Sequence, residues 1–267
     1  MKRKGIHQPT IEDAIEISGI ETLHPGGLAL TQRTADLAGL KPGMRVLDVS
    51  SGRGSQAIYY AQTFGVQVVG IDISEQMITA ATQNAKRAGI DGQVLFRLAD
   101  SRQLPFGDNC FDAVINECAV GIPDDSQKVL DEMVRVAKPG AAVAIHESTW
   151  RKPLSLAEKN NVSERYGTTP LEFDEWITML KQAGLREIIA EFDQWSNPEM
   201  FWKIRKNRNV QHHRQVLSLY ERIWTSTKIF GRYGLKGLLK AFENERVFFR
   251  AVLNGKLGYC LFKGVKH

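Results

Sequence analysis

A chain of 267 residues, 43% hydrophobic and 24% charged, is long enough for one well-cored unit and short for two independent ones. Its three cysteines lack CxxC spacing and clustered histidine partners, which argues against a disulfide scaffold or a metal site, and no apolar run approaches the roughly 20 residues that cross a bilayer. The net charge of +5 divides into −7 over residues 1–200 and +12 over residues 201–267, which leaves an anionic substrate, an acidic partner, a phospholipid surface, nucleic acid or a merely solvated face open for the basic end.

In chain order, residues 1–27 combine a basic start, a short helical pattern after Pro9-Thr10 and the turn His24-Pro25-Gly26-Gly27. Leu28–Leu40 reads as a helix ending near Gly39, and Lys41-Pro42-Gly43 as a turn. Strands are expected at Arg45–Val49, Gln67–Ile71, Gln93–Leu98, Phe111–Asn116 and Ala141–His146, with helices at Ser55–Phe64, Glu75–Ala88 and Ser126–Ala137 between them. This alternation predicts an α/β fold with a mostly parallel sheet covered on both faces. Residues 150–170 read as polar and turn-rich; a helix at Phe173–Ala183 and a strand near Glu187–Phe192 follow. Val216, Leu219, Tyr220, Ile223 and Trp224 share one helical face. With Phe230, the aromatics Tyr220 and Trp224 read as core, and His212-His213 as surface histidines. A further helix is expected from Leu235 and a last strand at Lys256–Gly264. The absence of a secretory leader pattern suggests a cytoplasmic protein.

The chemistry concentrates at two strand ends. Val46-Leu47-Asp48-Val49-Ser50-Ser51-Gly52-Arg53-Gly54-Ser55 joins a strand to a Gly-rich turn, and Asp72 closes the next strand, 24 residues after Asp48. Gly52 and Gly54 let backbone approach a ligand, and a strand-end carboxylate such as Asp72 can accept hydrogen bonds from both ribose hydroxyls. A dinucleotide site uses a similar arrangement, but the full GxGxxG is missing because Ser50 stands at its first glycine. After the third strand, Asp100 can accept from an adenine amine. Three acids at three strand ends suit a sulfonium cofactor and repel a phosphate-rich one.

With Val69–Ser74, Leu98–Phe106, Phe111–Asn116 and Glu132–Ala141 in this order, the sequence resembles the class I S-adenosylmethionine-dependent methyltransferases, especially the small-molecule branch with ubiquinone/menaquinone, sterol and phosphoethanolamine enzymes. The resemblance organises residues 28–148. It implies a Rossmann-like, doubly wound seven-stranded sheet whose last strand inserts antiparallel, with N-terminal and late helical additions, all in one domain over 1–267. Residues 1–27 would form a lid, and residues 149–267 would supply acceptor cover and the final strands. S-adenosyl-L-methionine would be the cofactor. Asp48, Ser51, Gly52 and Gly54 would lie near its methionine and ribose, Asp72 on the ribose, Ile73 against adenine, Asp100 and Ser101 on the base, and Asn116 and Glu117 towards the methionine or the acceptor.

On the acceptor side, three residues can act in catalysis. His146 is a proton acceptor near neutral pH or a satisfied histidine at the sheet edge. Glu117 binds an amino group or is a loop acid, and His24 belongs to the lid or to a turn. Glu147 lies beside His146, whereas Cys118, Ile122 and Leu130 read as packing groups. A small organic acceptor leads, an anionic or membrane-associated substrate and a homodimer are left open, and RNA or another macromolecule, a nicotinamide oxidoreductase or a non-enzymatic scaffold are the alternatives.

Overall fold

The structure, a computed structural model, describes residues 8–10, 13–14, 17, 27–192 and 219–267. Helix α1 (Gly27–Ala38) leads into β1 (Arg45–Val49), α2 (Ser55–Phe64), β2 (Gln67–Asp72), α3 (Glu75–Arg87) and β3 (Val94–Leu98). Then come β4 (Phe111–Glu117), α4 (Ser126–Val136), β5 (Ala137–Trp150), α5 (Leu156–Tyr166), the two-residue β6 (Leu171–Glu172), α6 (Phe173–Gln182) and β7 (Leu185–Phe192). The long helical run α7 (Leu219–Leu253), interrupted at Gly234, precedes β8 (Leu257–Lys266). Helix starts follow local chemistry. The Ser74 hydroxyl accepts from the Met77 amide at 3.4 Å, the Asp125 carboxylate accepts from the Lys128 amide at 3.0 Å, and α5 and α6 open with capping boxes built on Ser155/Glu158 and Glu172/Glu175.

The sheet runs β3-β2-β1-β4-β5-β8-β7, with β6 on the end of β5. All pairs from β3 to β5 are parallel, and β8 inserts antiparallel between β5 and β7. The seven main strands thus follow the doubly wound expectation. Chain order reverses between β1 and β4, which opens a crevice at their carboxyl ends. One core, with Leu47, Val114, Val143 and Trp176, fills one face; the other, with Val46, Tyr60, Ala113 and Ala144, fills the opposite face.

Four expectations change. Residues 150–170 contain α5, whose Ser155-x-x-Glu158 capping box lies inside the polar stretch. Strand β5 continues past His146 through buried Glu147, Ser148 and Thr149, because β8 pairs with it as far as Trp150↔Leu257. Trp224 and Phe230 are exposed rather than core, because Thr225 and Ile229 form the inner face of that helical stretch. Ile122 is exposed as well, on the turn after β4, while Leu130 is fully buried. The side chain of Tyr220, and His24, Val216 and His212-His213, lie outside the described residues. No helix among the described residues is long and apolar enough to cross a membrane.

Candidate active site

The turn after β1 is held by its own backbone and by Asp72. The Ser51 amide donates to Ile71 O at 2.8 Å and the Gly54 amide to Ser51 O at 2.9 Å. Asp72 at the end of β2 accepts from the Gly52 amide at 3.0 Å and the Ser74 amide at 2.9 Å. Burial pushes its carboxyl up, and the Ser74, Gly52 and Ile73 amides pull it back. Ser50, Gly52 and Gly54 all have positive φ, at 60°, 53° and 79°. Gly54 has a packing reason besides: a Cβ there would meet Phe96 Cζ at 2.4 Å. The room made by this glycine is therefore taken by a ring of β3.

Strand periodicity places Asp48, Glu117 and His146 on the sheet face that α1 and α2 cover, since they alternate in step with Val46, Ile115 and Ala144 of that core. The parallel ladder sets Glu117 directly beside His146. Asp48 is buried, with Oδ2 lacking a hydrogen-bond partner; burial pushes its carboxyl well up, and neighbouring Glu117 and Asp72 push it further. Ser51 Oγ is likewise buried without a partner. These two buried polar atoms without a protein partner lie at the same strand ends as Asp72 and have hydrogen-bonding capacity to offer a polar ligand.

Glu117 ties together three elements. Thr31 of α1 donates its hydroxyl to Oε2 at 3.0 Å, and Tyr60 of α2 donates to Oε1 at 2.9 Å. Burial, then Glu117 and Asp48, push the Tyr60 hydroxyl well above its usual range, so it stays a neutral donor. His146 is 0% exposed. Its Nδ1 lies 2.9 Å from Cys118 Sγ, and its ring stacks on Tyr259 at 5.3 Å between centroids. Tyr259 in turn meets the Tyr166 hydroxyl at 3.0 Å. Cys118 itself turns the chain at φ 66°.

The remaining expected residues divide by sheet face and by partner. Asn116 points to the opposite face, where its Nδ2 donates to Val49 O and its Oδ1 accepts from the Ala119 amide, both at 2.9 Å. It fixes the spacing of β1 and the loop after β4. Glu147 faces the same side and accepts from the Val120 amide at 2.6 Å. Ile73 is 64% exposed beside Asp72, an apolar surface at a polar edge. Ser101 is buried. Asp100 is gripped by Arg102, whose guanidinium reaches Oδ2 at 2.7 Å; that contact is the first cause holding the carboxyl below its usual range. Oδ1 also accepts from the Arg102 backbone amide at 2.9 Å, and Arg102 Nε reaches both oxygens at 3.1 and 3.2 Å. Arg102 thus engages about all four lone-pair sites of this carboxylate, and a base amine would have to displace part of that grip.

Thr31, Tyr60, Tyr259 and Arg102 are additions that sequence reasoning missed. A tyrosine on the core face of α2 carried a signal, because a buried phenol needs a hydrogen-bond partner. Among the described residues no cluster of His, Cys, Asp and Glu is arranged to hold a metal ion.

A family model described as a methyltransferase domain matches residues 40–193. Phosphoethanolamine N-methyltransferase 3 of Arabidopsis thaliana is 31% identical over 181 residues, covering 68% of this chain and 36% of that protein, so the chain spans little more than a third of that relative. The 27-O-demethylrifamycin SV methyltransferase of Amycolatopsis mediterranei (strain S699) is 32% identical over 182 residues, covering 66% of this chain and 67% of that protein. In fold, the chain is similar to Haemonchus contortus phosphoethanolamine N-methyltransferase 2 in complex with phosphomonomethylethanolamine and S-adenosylhomocysteine, with a TM-score of 0.73 at 23% identity over 96% of this chain and 56% of that one. The [4+2]-cyclase SpnF matches equally well, with a TM-score of 0.73 at 20% identity and 97% of both chains covered. One fold therefore serves more than one reaction, and the reaction must be argued from the site.

Proposed function

The chain belongs to the class I S-adenosylmethionine-dependent methyltransferases, and on that premise we propose that it transfers the methyl group of S-adenosylmethionine to a small organic acceptor, leaving S-adenosylhomocysteine. The observation that carries this reading is the pair of orphaned buried atoms, Asp48 Oδ2 and Ser51 Oγ, beside the anchored carboxylate of Asp72. Asp72 would take the ribose hydroxyls, Ile73 would cover one adenine face, and Asp100 with Ser101 would meet the base edge. Asp48, Ser51 and the Gly52 and Gly54 backbone would hold the methionine portion. When bound, the cofactor supplies a methyl group already activated on a sulfonium.

The chain's own work is then alignment, exclusion of water and, for a protic acceptor, proton removal. Glu117 fixes α1 over the crevice through Thr31, and Tyr60 holds that carboxyl in place from α2. A proton leaving the acceptor would be held at the Cys118 Sγ–His146 Nδ1 contact or on Glu117. The acceptor would lie between α1, the loop after β4, α5 and α7. Support for such a cover comes from the separate apolar cluster in which Tyr166 of α5 and Phe248 of α7 pack with Tyr259 of β8. The relatives named above act on phosphoethanolamine and on a demethylrifamycin, so the family accommodates both small polar and bulky acceptors.

The test is transfer of labelled methyl from S-adenosylmethionine to a panel of small amines, phenols and aliphatic alcohols. Turnover of any one member, reduced at least about tenfold by Asp72→Ala, supports the reading. Cofactor binding without turnover, or turnover insensitive to Asp72→Ala, counts against it.

A further inference from the structure

The surface of α7 does not suit an ordinary solvated helix. Its inner side is well used: Ala241, Phe248, Ala251 and Val252 are buried, and Asn244 Nδ2 donates to Pro9 O at 2.7 Å. Its outer side carries large apolar groups as well as charged ones. Six of the fourteen large apolar side chains exposed among the described residues lie on this one helical run. After Gly234, Leu235 and Leu239 are each 61% exposed and Phe242 is 46% exposed, at the spacing i, i+4, i+7 that forms one stripe. Before Gly234, Ile223 and Phe230 are exposed seven residues apart, again on one face.

Exposed cations lie along the same helical run. Lys228, Arg232 and Lys236 are exposed at four-residue intervals, and Arg246 and Arg250 are exposed further on. Over residues 223–253 there are six Lys and Arg against two Glu. Lys228 Nζ lies 5.4 Å from the Trp224 ring and the Arg232 guanidinium 5.4 Å from the Tyr233 ring, so these two charged ends rest over aromatic rings of the same helical run.

We propose that α7 docks this protein on an anionic lipid bilayer, its apolar stripe entering the headgroup and acyl boundary and its Lys and Arg side chains meeting lipid phosphates. Charge selects this occupant. A second copy would bring the same positive face against itself, and a nucleic acid, although Phe230 and Phe242 could stack on bases, would leave the aliphatic Ile223, Leu235 and Leu239 without an apolar partner. No described helix crosses a membrane, so the contact is peripheral. Docking would bring the acceptor side of the fold near the lipid surface. Phe248 on the inner side of α7 packs on the Tyr166 ring at 5.0 Å, and Tyr166 reaches Tyr259 beside His146.

The test is cosedimentation of the full chain with vesicles of phosphatidylcholine alone or with about one third phosphatidylglycerol, at about 0.05 and about 0.5 M salt. The expected result is binding to the anionic vesicles only, at least about tenfold weaker at high salt and at least about tenfold weaker in Leu235→Glu/Leu239→Glu and in Lys228→Glu/Arg232→Glu. Circular dichroism and S-adenosylmethionine binding should be unchanged in both variants, which separates this proposal from the cofactor reading. Absence of binding to anionic vesicles overturns it, as does binding that Leu235→Glu/Leu239→Glu leaves intact. So does a wild-type dimer in analytical ultracentrifugation that the same variant dissociates, because that face would then join two copies.

Discussion

Ser50 stands at φ 60°, a conformation in which a Cβ crowds the following carbonyl. Ser50→Gly should therefore raise the unfolding free energy by about 1 kcal/mol, read by urea denaturation. Asp48 carries the strongest electrostatic consequence. Its carboxyl is pushed up by burial, Glu117 and Asp72, so the folded apo-protein keeps a proton there that the unfolded chain has lost. That contribution to stability is fully present below the ordinary aspartate range and is lost as pH rises through the raised folded value. Asp48→Asn should flatten the corresponding fall in apo-protein melting temperature with rising pH, measured in a series of buffers upward from about pH 4. A cationic cofactor favours the ionised carboxylate, so wild-type affinity for S-adenosylmethionine should rise over the same interval. Asp48→Asn should bind about 10–100-fold more weakly with little pH dependence, as calorimetry would show. The motif acids were legible because strand-end position alone marks them. Arg102 on Asp100 was not, since a surface Arg two residues from an acid has no distinctive pattern.

At the level of elements, Glu117 acts as a clasp between β4, α1 and α2. Tyr60→Phe removes one arm and should cost about 1–3 kcal/mol of stability, and a double-mutant cycle with Thr31→Val should show coupling between the two arms. Most element positions could be read from the sequence pattern, because β1, β2 and β4 are short apolar runs buried on both faces, while β3 alternates and α2 to α4 bury one stripe each. The exceptions have separate causes. The hydrophobic pattern of β5 stops at Ile145, yet β8 supplies ladder partners for the polar Glu147, Ser148 and Thr149, an interaction between positions over 100 residues apart. In α5 only Val162 and Tyr166 are buried, too few to signal a helix by periodicity, although the Ser155/Glu158 capping box was present in the sequence. In α7 the outward aromatics followed helical spacing as regularly as the buried ones, so spacing alone could not say which face was core.

Across the whole molecule, the reversal of chain order between β1 and β4 brings together groups that are distant in sequence: the Ser50–Gly54 turn, Asp72, and Glu117 beside His146. The alternation of strands and helices foretold that crevice, and the order of short motifs foretold the cofactor class. The resemblance assigns acceptor cover only to residues 149–267 as a whole; the packing of Tyr166, Phe248 and Tyr259 was not legible, because α5, α7 and β8 meet only in the folded chain. The most direct test of the account is calorimetric titration of wild-type, Asp72→Asn and Asp72→Ala protein with S-adenosylmethionine. The account predicts one site per chain with about micromolar affinity in the wild type, and at least about tenfold weaker binding in both variants while each still melts cooperatively. Folded wild-type protein that does not bind, or folded Asp72 variants that bind as tightly as the wild type, would contradict it.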